Sequence, residues 1–300
     1  MGSVTSTIFQ PRPYNSADLN KCPGEIKIIE NITVCNFKPI YHLESSKLTL
    51  TINILYCHGN GMNVINSSRL LMESILECAD FMNSGVNMNF NIYVWEYPTY
   101  TISKQTRADL EKKALFRDVD ILWQDLTKDS IPGETINMCI GASIGSVFAC
   151  SISNRPNMDI LLLQCPIAKL PSSAGYIWTE KYITGEVYNN LEELEFKHPN
   201  VFSFAVMSES DDVLQYEQCK YILPYLDHSH VIGQTSVYKH SDFFKLKGFK
   251  ALGVYIAECI LQHSTYKTIL EENESMKEEC PDDKQEDTDC KENKVHTESP

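Results

Sequence analysis

The sequence predicts an α/β fold in which a largely parallel sheet carries helices on both faces. Segments rich in Ile, Val and aromatic residues alternate along the chain with segments whose apolar residues recur at helical spacing. The 300 residues, 43% of them hydrophobic, suffice for one large apolar core. Because ligands bind at the carboxyl ends of strands in such sheets, the strand ends are where functional residues are expected.

The N-terminal part of the chain predicts an irregular arm followed by strands. Residues 1–24 are polar and contain three prolines. Residues 26–37 and 47–56 are rich in Ile, Val and Thr, and because no helical pattern separates them they predict an antiparallel edge of the sheet. Residues 67–82 carry apolar residues at helical spacing, and residues 89–97 (NFNIYVWEY) predict the next strand.

The middle of the chain continues the alternation. A helical stripe at residues 108–126 precedes a short apolar strand at 135–140, which runs into a small-residue helix ending near residue 153. Residues 159–164 (DILLLQ) form a continuous apolar run, which is typical of a buried parallel strand. Residues 166–200 are less regular and contain several aromatics, so we expect a short lid over the strand ends.

The C-terminal part predicts two more strands and two helices before an acidic tail. Strands are expected at 201–207 and 235–238, and helices at 214–223 and 248–263. Residues 268–300 are acidic and poor in apolar residues, which predicts a disordered tail. The folded domain is therefore expected to span residues 25–267.

Charge and cysteine content exclude several classes of function. The formal net charge is −14, and the last 30 residues, with twelve acidic side chains and four Lys, supply −8 of it. Such a chain is not expected to bind nucleic acid, which requires clustered Lys and Arg. The eleven Cys form no C-x-x-C pair, so we expect no metal or cofactor, and their odd number indicates a reducing, cytoplasmic compartment.

The N-terminus carries a pattern for lipid attachment. Residues 1–6 (MGSVTS) match the N-myristoylation pattern with Gly2 as the acceptor, although this short pattern also arises by chance. No apolar stretch is long enough to cross a bilayer. The sequence therefore predicts at most a peripheral membrane contact through an N-terminal acyl chain, which alone binds weakly and reversibly.

The pattern G-x-S-x-G at residues 141–145 (GASIG) places a serine between a predicted strand and a predicted helix. A serine on such a sharp turn projects its hydroxyl above the sheet, and glycines on either side permit close packing. This predicts Ser143 as a nucleophile. The alternative is an ordinary glycine-lined turn of a doubly wound fold.

A serine nucleophile requires a base and an acid downstream. Of the histidines after Ser143, His240 follows a predicted strand and precedes the last helix, so we predict it as the base; a surface histidine is the alternative. Asp211 and Asp212 follow another strand. Asp211 is predicted as the acid because it comes earlier in the turn, Asp212 is the second candidate, and helix capping is the alternative for both.

Acyl transfer also requires hydrogen-bond donors for the oxyanion. The residue after the nucleophile supplies one, the Ile144 N–H. Residues 58–61 (HGNG) lie after an earlier strand, where the second donor is expected, and Asn60 N–H is our candidate. His58 is predicted to be structural because it comes at the strand end, before the turn.

Four short segments together resemble a known family. They are residues 57–61 (CHGNG), 141–146 (GASIGS), 208–214 (SESDDVL) and 239–242 (KHSD), in this order. Over about residues 38–262 the chain resembles the seventeenth subfamily of α/β-hydrolase-domain proteins, the protein depalmitoylases, and their relatives. The order Ser143, Asp211, His240 is also that of α/β-hydrolases.

The resemblance implies an α/β-hydrolase fold and a serine esterase or thioesterase that acts on long acyl chains. By motif match it implies Ser143, Asp211 and His240 as the triad and Asn60 with Ile144 as the oxyanion hole. The chain departs from the family at residues 95–100 (WEYPTY), where the family has Asp-Tyr-x-Gly-Tyr-Gly, and at Lys239, where it has Gly. The family's N-terminal palmitoylated Cys cluster is missing, so Gly2 acylation is the expected anchor.

The sequence thus predicts a serine hydrolase whose substrate is an acylated protein or lipid. Two alternatives remain: a catalytically inactive binding or scaffold protein of the same fold, and a peptidase or small-ester hydrolase. The aromatic residues of segment 166–200 are consistent with an apolar pocket, and equally with plain packing.

Overall fold

The strands assemble into one mixed sheet in the computed structural model, which describes residues 20–42, 48–82, 86–100, 102–170, 172–174, 188–233 and 238–279. Within these ranges the sheet has nine strands. Their bounds are β1 Glu25–Ile29, β2 Ile32–Phe37, β3 Ile40–Tyr41, β4 Thr49–Cys57, β5 Asn87–Glu96, β6 Thr135–Ala142, β7 Ile160–Gln164, β8 Phe202–Ser208 and β9 His228–Ile232.

The strand order is β1-β2-β5-β4-β6-β7-β8-β9, with β3 paired to β5. All neighbours from β5 to β9 are parallel, whereas the pairs β1–β2, β2–β5 and β3–β5 are antiparallel. The predicted sheet, mostly parallel with an antiparallel edge, is confirmed. The carboxyl ends of β4, β6, β7 and β8 therefore meet along one edge of the sheet.

Helices cover both faces of the sheet, as the sequence predicts. They are α1 Val64–Met82, α2 Lys112–Thr127, α3 Gly145–Ser151, α4 Asn190–Glu195, α5 Tyr216–Cys219, α6 Leu246–Gln262 and α7 Ser264–Glu279. Helices α1 and α6 pack together on one face, and α2 and α3 lie on the other. Alternate strand residues face the two layers: Leu55 and Cys57 face α2 and α3, and Ile54 and Tyr56 face α1 and α6.

The prediction for the early strands is wrong in two respects. Residues 26–37 are not one strand but the hairpin of β1 and β2, because Glu30 and Asn31 adopt positive φ values of 48° and 73° and turn the chain. The strand predicted at 47–56, β4, does not lie at the antiparallel edge. It is parallel and central, between β5 and β6, and seven of its nine residues are buried.

The C-terminal part also differs from the prediction. The strand predicted at 235–238 falls mostly outside the described residues, and the last strand of the described sheet is β9, whose first three residues are exposed. The predicted disorder from residue 268 is wrong for residues 268–279. Helix α7 continues through residue 268 and buries Tyr266 and Ile269 against the core. Residues 280–300 lie outside the described part.

Candidate active site

Ser143 lies on a tight turn between β6 and α3. Its φ of 52° is in the left-handed region that non-glycine residues rarely adopt. Its backbone is fixed on both sides, because its N–H donates to the Gln164 carbonyl and its carbonyl accepts from the Ser146 N–H, both at 2.9 Å. The residue is 7% exposed. This is the strained strand-to-helix turn that the G-x-S-x-G pattern predicts.

The two glycines of this turn are required by close contacts. A Cβ atom at Gly141 would lie 2.6 Å from the Ser146 Cα atom. A Cβ atom at Gly145 would lie 2.0 Å from the carbonyl oxygen of Cys57, at the end of β4. The absence of side chains thus lets α3 pack directly against the sheet and against the loop after β4.

Gly145→Ala is therefore expected to destabilise the fold by about 3 kcal/mol or more, since backbone atoms rather than a flexible side chain must move. Urea unfolding of both proteins measures the difference. Gly233→Ala is the matched control, because nothing lies within 4 Å of a Cβ atom there, and we expect a change within about 0.5 kcal/mol. Equal effects at the two positions would contradict the close approach of α3 to β4.

His240 and Asp211 form a hydrogen-bonded pair beside this turn. The His240 Nδ1 atom lies 2.8 Å from Asp211 Oδ2, and the two side chains are 10% and 4% exposed. The other carboxylate oxygen, Oδ1, accepts the N–H groups of Val213 at 2.9 Å and Leu214 at 2.8 Å. Because both oxygens are engaged, the carboxylate cannot rotate away from the imidazole, whose Nε2 remains available to accept a proton.

Asp212, the second candidate for the acid, has a different set of contacts. Its Oδ1 accepts the backbone N–H of His240 at 3.3 Å, and its Oδ2 lies 3.7 Å from Lys239 Nζ. Asp212 therefore contacts the backbone of the histidine segment, whereas Asp211 contacts the ring. Lys239, at the position where the family that this chain resembles has Gly, therefore forms an ion pair with Asp212.

Cys165, at the end of β7, connects the serine turn to the histidine. Its Sγ atom, a His240 ring nitrogen and an Asp211 carboxylate oxygen all lie within 4.8 Å of one another. Burial raises the pKa of the Cys165 thiol, the Asp211 charge raises it further, and the backbone of Ser143 lowers it. The thiol thus contacts both sides of the site. The described residues show no hydrogen bond between the Ser143 hydroxyl and His240, a bond that often forms fully only with substrate.

Cys165 is not among the site residues that the sequence predicts. Its place directly after a parallel strand is the signal that could have identified it. A thiol, an imidazole and a carboxylate are also zinc ligands. Here Nδ1 and Oδ2 share a hydrogen bond at 2.8 Å, which is the contact that a catalytic base makes with its acid.

The two predicted oxyanion donors lie on adjoining segments. Ile144 directly precedes α3, where backbone N–H groups have no carbonyl partner within the helix. Asn60 lies in the turn between β4 and α1, and the Tyr100 hydroxyl lies 2.9 Å from its carbonyl oxygen and 2.6 Å from its Oδ1. The close approach of Gly145 to Cys57 joins these segments.

His58 is fully buried beneath this turn. Its Nδ1 lies 2.9 Å from the Gly59 carbonyl, and its Nε2 lies 3.7 Å from Glu96 Oε1. Burial raises the pKa of Glu96, and the hydrogen bonds and charge of His58 and the Val64 N–H offset part of this increase. The Tyr97 hydroxyl donates to the His58 carbonyl, and the two rings are 4.2 Å apart. His58 therefore supports the backbone of the turn, in agreement with the structural role predicted for it.

The segment that departs from the family, residues 95–100, supplies a buried aromatic cluster under the site. Trp95, Tyr97 and Tyr100 are each no more than 2% exposed. Trp95 and Tyr97 pack against Phe148 of α3 with ring centroids 5.0 and 5.2 Å apart. Trp95 and Tyr97 thus pack beneath α3, the helix that follows Ser143, and support the position of the turn.

The predicted lid is only partly described. Tyr188 is 1% exposed and packs against Phe148 and Phe116, so this aromatic residue belongs to the core. Residues 175–187, which include Tyr176, Trp178 and Tyr182, lie outside the described residues, and so does Gly2.

A cavity of about 10 Å³ lies beside the His240–Asp211 pair. It is lined by Asp211, Cys165 and neighbouring side chains and holds at most one water molecule. No helix in the described ranges combines the length and apolarity needed to span a bilayer.

Comparison with solved structures supports the fold. An esterase from Pyrococcus furiosus aligns with a TM-score of 0.56 and 13% identity, covering 85% of this chain and 98% of that chain. A meta-cleavage product hydrolase aligns with a TM-score of 0.53 and 10% identity, covering 80% and 98%. A thioesterase domain from the curacin biosynthetic pathway aligns with a TM-score of 0.50 and 12% identity, covering 78% and 98%. At these identities the likeness concerns the fold alone.

Comparison with curated proteins supports the resemblance found in the motifs. The alpha/beta hydrolase domain-containing protein 17C of Mus musculus is 27% identical over 124 residues, which is 41% of this chain and 33% of the relative. The Homo sapiens protein of the same name matches equally well. The match thus spans about a third of the length of these relatives, and no family model matches the chain. The chain has the α/β-hydrolase fold and, over part of its length, resembles the alpha/beta hydrolase domain-containing 17 proteins.

Proposed function

We propose that the chain is a serine hydrolase that cleaves acyl esters or thioesters through an acyl-enzyme intermediate. The observation that supports this most is the 2.8 Å contact between His240 Nδ1 and the anchored carboxylate of Asp211, at the sheet edge that also carries the strained Ser143. A buried, immobilised carboxylate on a histidine beside a strained serine is the arrangement that nucleophilic catalysis requires. If Asp211 only capped the backbone of its turn, its contact with the His240 ring would not be needed.

The proposed reaction proceeds in two steps. His240 Nε2 takes the proton of the Ser143 hydroxyl as its oxygen bonds to the acyl carbon, and the Asp211 carboxylate stabilises the imidazolium. The N–H groups of Ile144 and Asn60 stabilise the oxyanion. The imidazolium then protonates the leaving alcohol or thiol. A water molecule, activated by the same imidazole, hydrolyses the acyl-serine and restores the hydroxyl.

For the substrate we propose a long-chain acyl thioester on a protein, as in depalmitoylation. Support comes from the partial resemblance to the alpha/beta hydrolase domain-containing protein 17C and from the motif segments of the site. We further propose that Gly2 carries an acyl chain and that the protein acts at the cytoplasmic face of a membrane. A single acyl chain would allow reversible contact with a membrane that holds acylated substrates.

An active-site fluorophosphonate probe tests this proposal directly. The wild-type protein should be labelled covalently, and it should hydrolyse a palmitoyl thioester faster than a short-chain ester or an aminoacyl amide. A preference for the short ester would retain the hydrolase and reject the long-chain substrate, whereas a preference for the amide would indicate a peptidase.

A binding or scaffold role without catalysis is the second candidate. It is favoured by the lack of a Ser143–His240 hydrogen bond among the described residues, where the His240 ring contacts Asp211. A well-folded protein that the probe does not label, at several pH values between 6 and 9, would support this role and reject the hydrolase.

A further inference from the structure

Cys22 and Cys35 lie in direct contact at the β1–β2 edge of the sheet. The proposed active site lies at the ends of β6, β7 and β8 instead. Their Sγ atoms are 3.1 Å apart. This distance is about 1 Å longer than a disulfide bond, so little movement separates the two thiols from a covalent link. Cys35 lies in the middle of β2, and Cys22 precedes β1 by three residues.

The hairpin holds the two sulfurs together. Strands β1 and β2 pair antiparallel, with Glu25 opposite Asn36, so residues 22–24 lead toward and past the end of β2. Gly24 packs closely there, because a Cβ atom would lie 2.2 Å from the Asn36 carbonyl oxygen. The contact between the thiols is therefore accompanied by close packing of the segment before β1 against the end of β2.

The two thiols differ in acidity and exposure. The hydrogen bond from Cys35 lowers the pKa of Cys22 to about 7, with help from the Gly24 backbone. The same hydrogen bond, together with burial, raises the pKa of Cys35. Cys22 is only partly buried, whereas Cys35 is buried. A partly exposed thiolate beside a buried thiol matches the division into attacking and resolving cysteines in redox pairs.

We propose that Cys22 and Cys35 form a reversible oxidation site that is converted into an intramolecular disulfide by a hydroperoxide. The Cys22 thiolate attacks the peroxide oxygen, which breaks the O–O bond, releases hydroxide and leaves a sulfenic acid on Cys22. The Cys35 sulfur then attacks the Cys22 sulfur, the S–O bond breaks, and the Cys35 thiol proton leaves with the oxygen as water. Two electrons pass from the two sulfurs to the peroxide.

Four of the other described cysteines lack the partial exposure of Cys22. Cys78, Cys139, Cys150 and Cys259 are buried, and burial raises the pKa of each thiol. In a reducing compartment the Cys22–Cys35 bond would be transient, which is the usual behaviour of redox-sensing disulfides. When formed, it links Cys22, three residues before β1, covalently to β2.

The sequence provides a direct test, because trypsin cleaves after Lys21, Lys27 and Lys47, whereas Pro39 prevents cleavage after Lys38. The two cysteines therefore fall on separate peptides, 22–27 and 28–47. The reduced full chain is treated with hydrogen peroxide, its free thiols are alkylated, and it is digested without reductant. We expect the two peptides to be recovered as one cross-linked species that a thiol reductant separates. Free, alkylated peptides at peroxide doses that oxidise Cys78 would overturn the proposal.

Single substitutions distinguish the attacking cysteine from the resolving cysteine. In Cys35→Ser the oxidation should stop at the sulfenic acid of Cys22, which a dimedone adduct on peptide 22–27 detects. In Cys22→Ser, Cys35 should stay reduced over the same time. Oxidation of Cys35 at the wild-type rate in Cys22→Ser, or a cross-link from Cys22 to any other cysteine, would contradict the assignment.

Discussion

Ser143→Ala is expected to abolish fluorophosphonate labelling and to lower the rate of thioester hydrolysis by roughly 10⁴- to 10⁶-fold. The substitution removes the hydroxyl and leaves the local fold intact, because the 2.9 Å contacts of Ser143 with Gln164 and Ser146 use only backbone atoms. Intact-mass spectrometry measures labelling, and release of the free thiol measures hydrolysis.

Ser151→Ala serves as the matched control for Ser143. Ser151 ends α3, the helix that follows Ser143, and its hydroxyl donates to the Phe148 carbonyl at 2.8 Å. We expect this variant to be labelled like the wild type. Labelling that persists in a folded Ser143→Ala protein would show that the nucleophile is another residue, and peptide mapping of the adduct would identify it.

Asp211→Asn is expected to lower kcat by roughly 10³- to 10⁴-fold with little change in KM. An Asn at this position can still accept the N–H groups of Val213 and Leu214, so the turn should keep its shape. Its amide group can then face His240 Nδ1, which favours the tautomer with the proton on Nε2, and that tautomer cannot take a proton from Ser143.

The neighbouring Asp212→Asn is the control for this change. Asp212 contacts the backbone of His240 and the Lys239 side chain, and an Asn can keep the first of these contacts. We expect kcat to fall by less than about tenfold, because a partly exposed ion pair contributes little. A larger loss in Asp212→Asn than in Asp211→Asn would assign the acid to the second aspartate.

Most of the sheet was predictable because its strands are buried on both faces and read as apolar runs, as in β7 and β8. The differences concern the two edges of the sheet and the place of β4, which is central. Strand β9 begins His228-Ser229-His230, three exposed polar residues that give no apolar signal. The hairpin of β1 and β2 gives the pattern of a single strand because its two-residue turn lies between two apolar stretches. Helix α7 is held against the core by Tyr266 and Ile269. Two apolar residues do not change the acidic composition of the region, so the sequence pattern does not predict the helix.

The candidate site was predictable where it depends on residue type and chain order. Ser143, His240 and an aspartate follow from the strand ends, and the contact between His240 and Asp211 agrees with the order of the sequence motifs. The choice between Asp211 and Asp212 depends on the direction of one turn, which sequence does not specify. The contacts of Cys165 with the pair, and of His58 with Glu96, join residues far apart in the chain, so only the assembled sheet shows them.

The positive φ of Ser143 has a consequence for the relation between stability and chemistry at this position. Glycine tolerates that backbone conformation without penalty, whereas serine is held in it at an energy of order 1–3 kcal/mol that the surrounding sheet and helix must supply. Thermostability alone would therefore favour glycine at residue 143. Selection of variants for melting temperature alone would therefore favour loss of the Ser143 side chain, and with it the nucleophile that we propose.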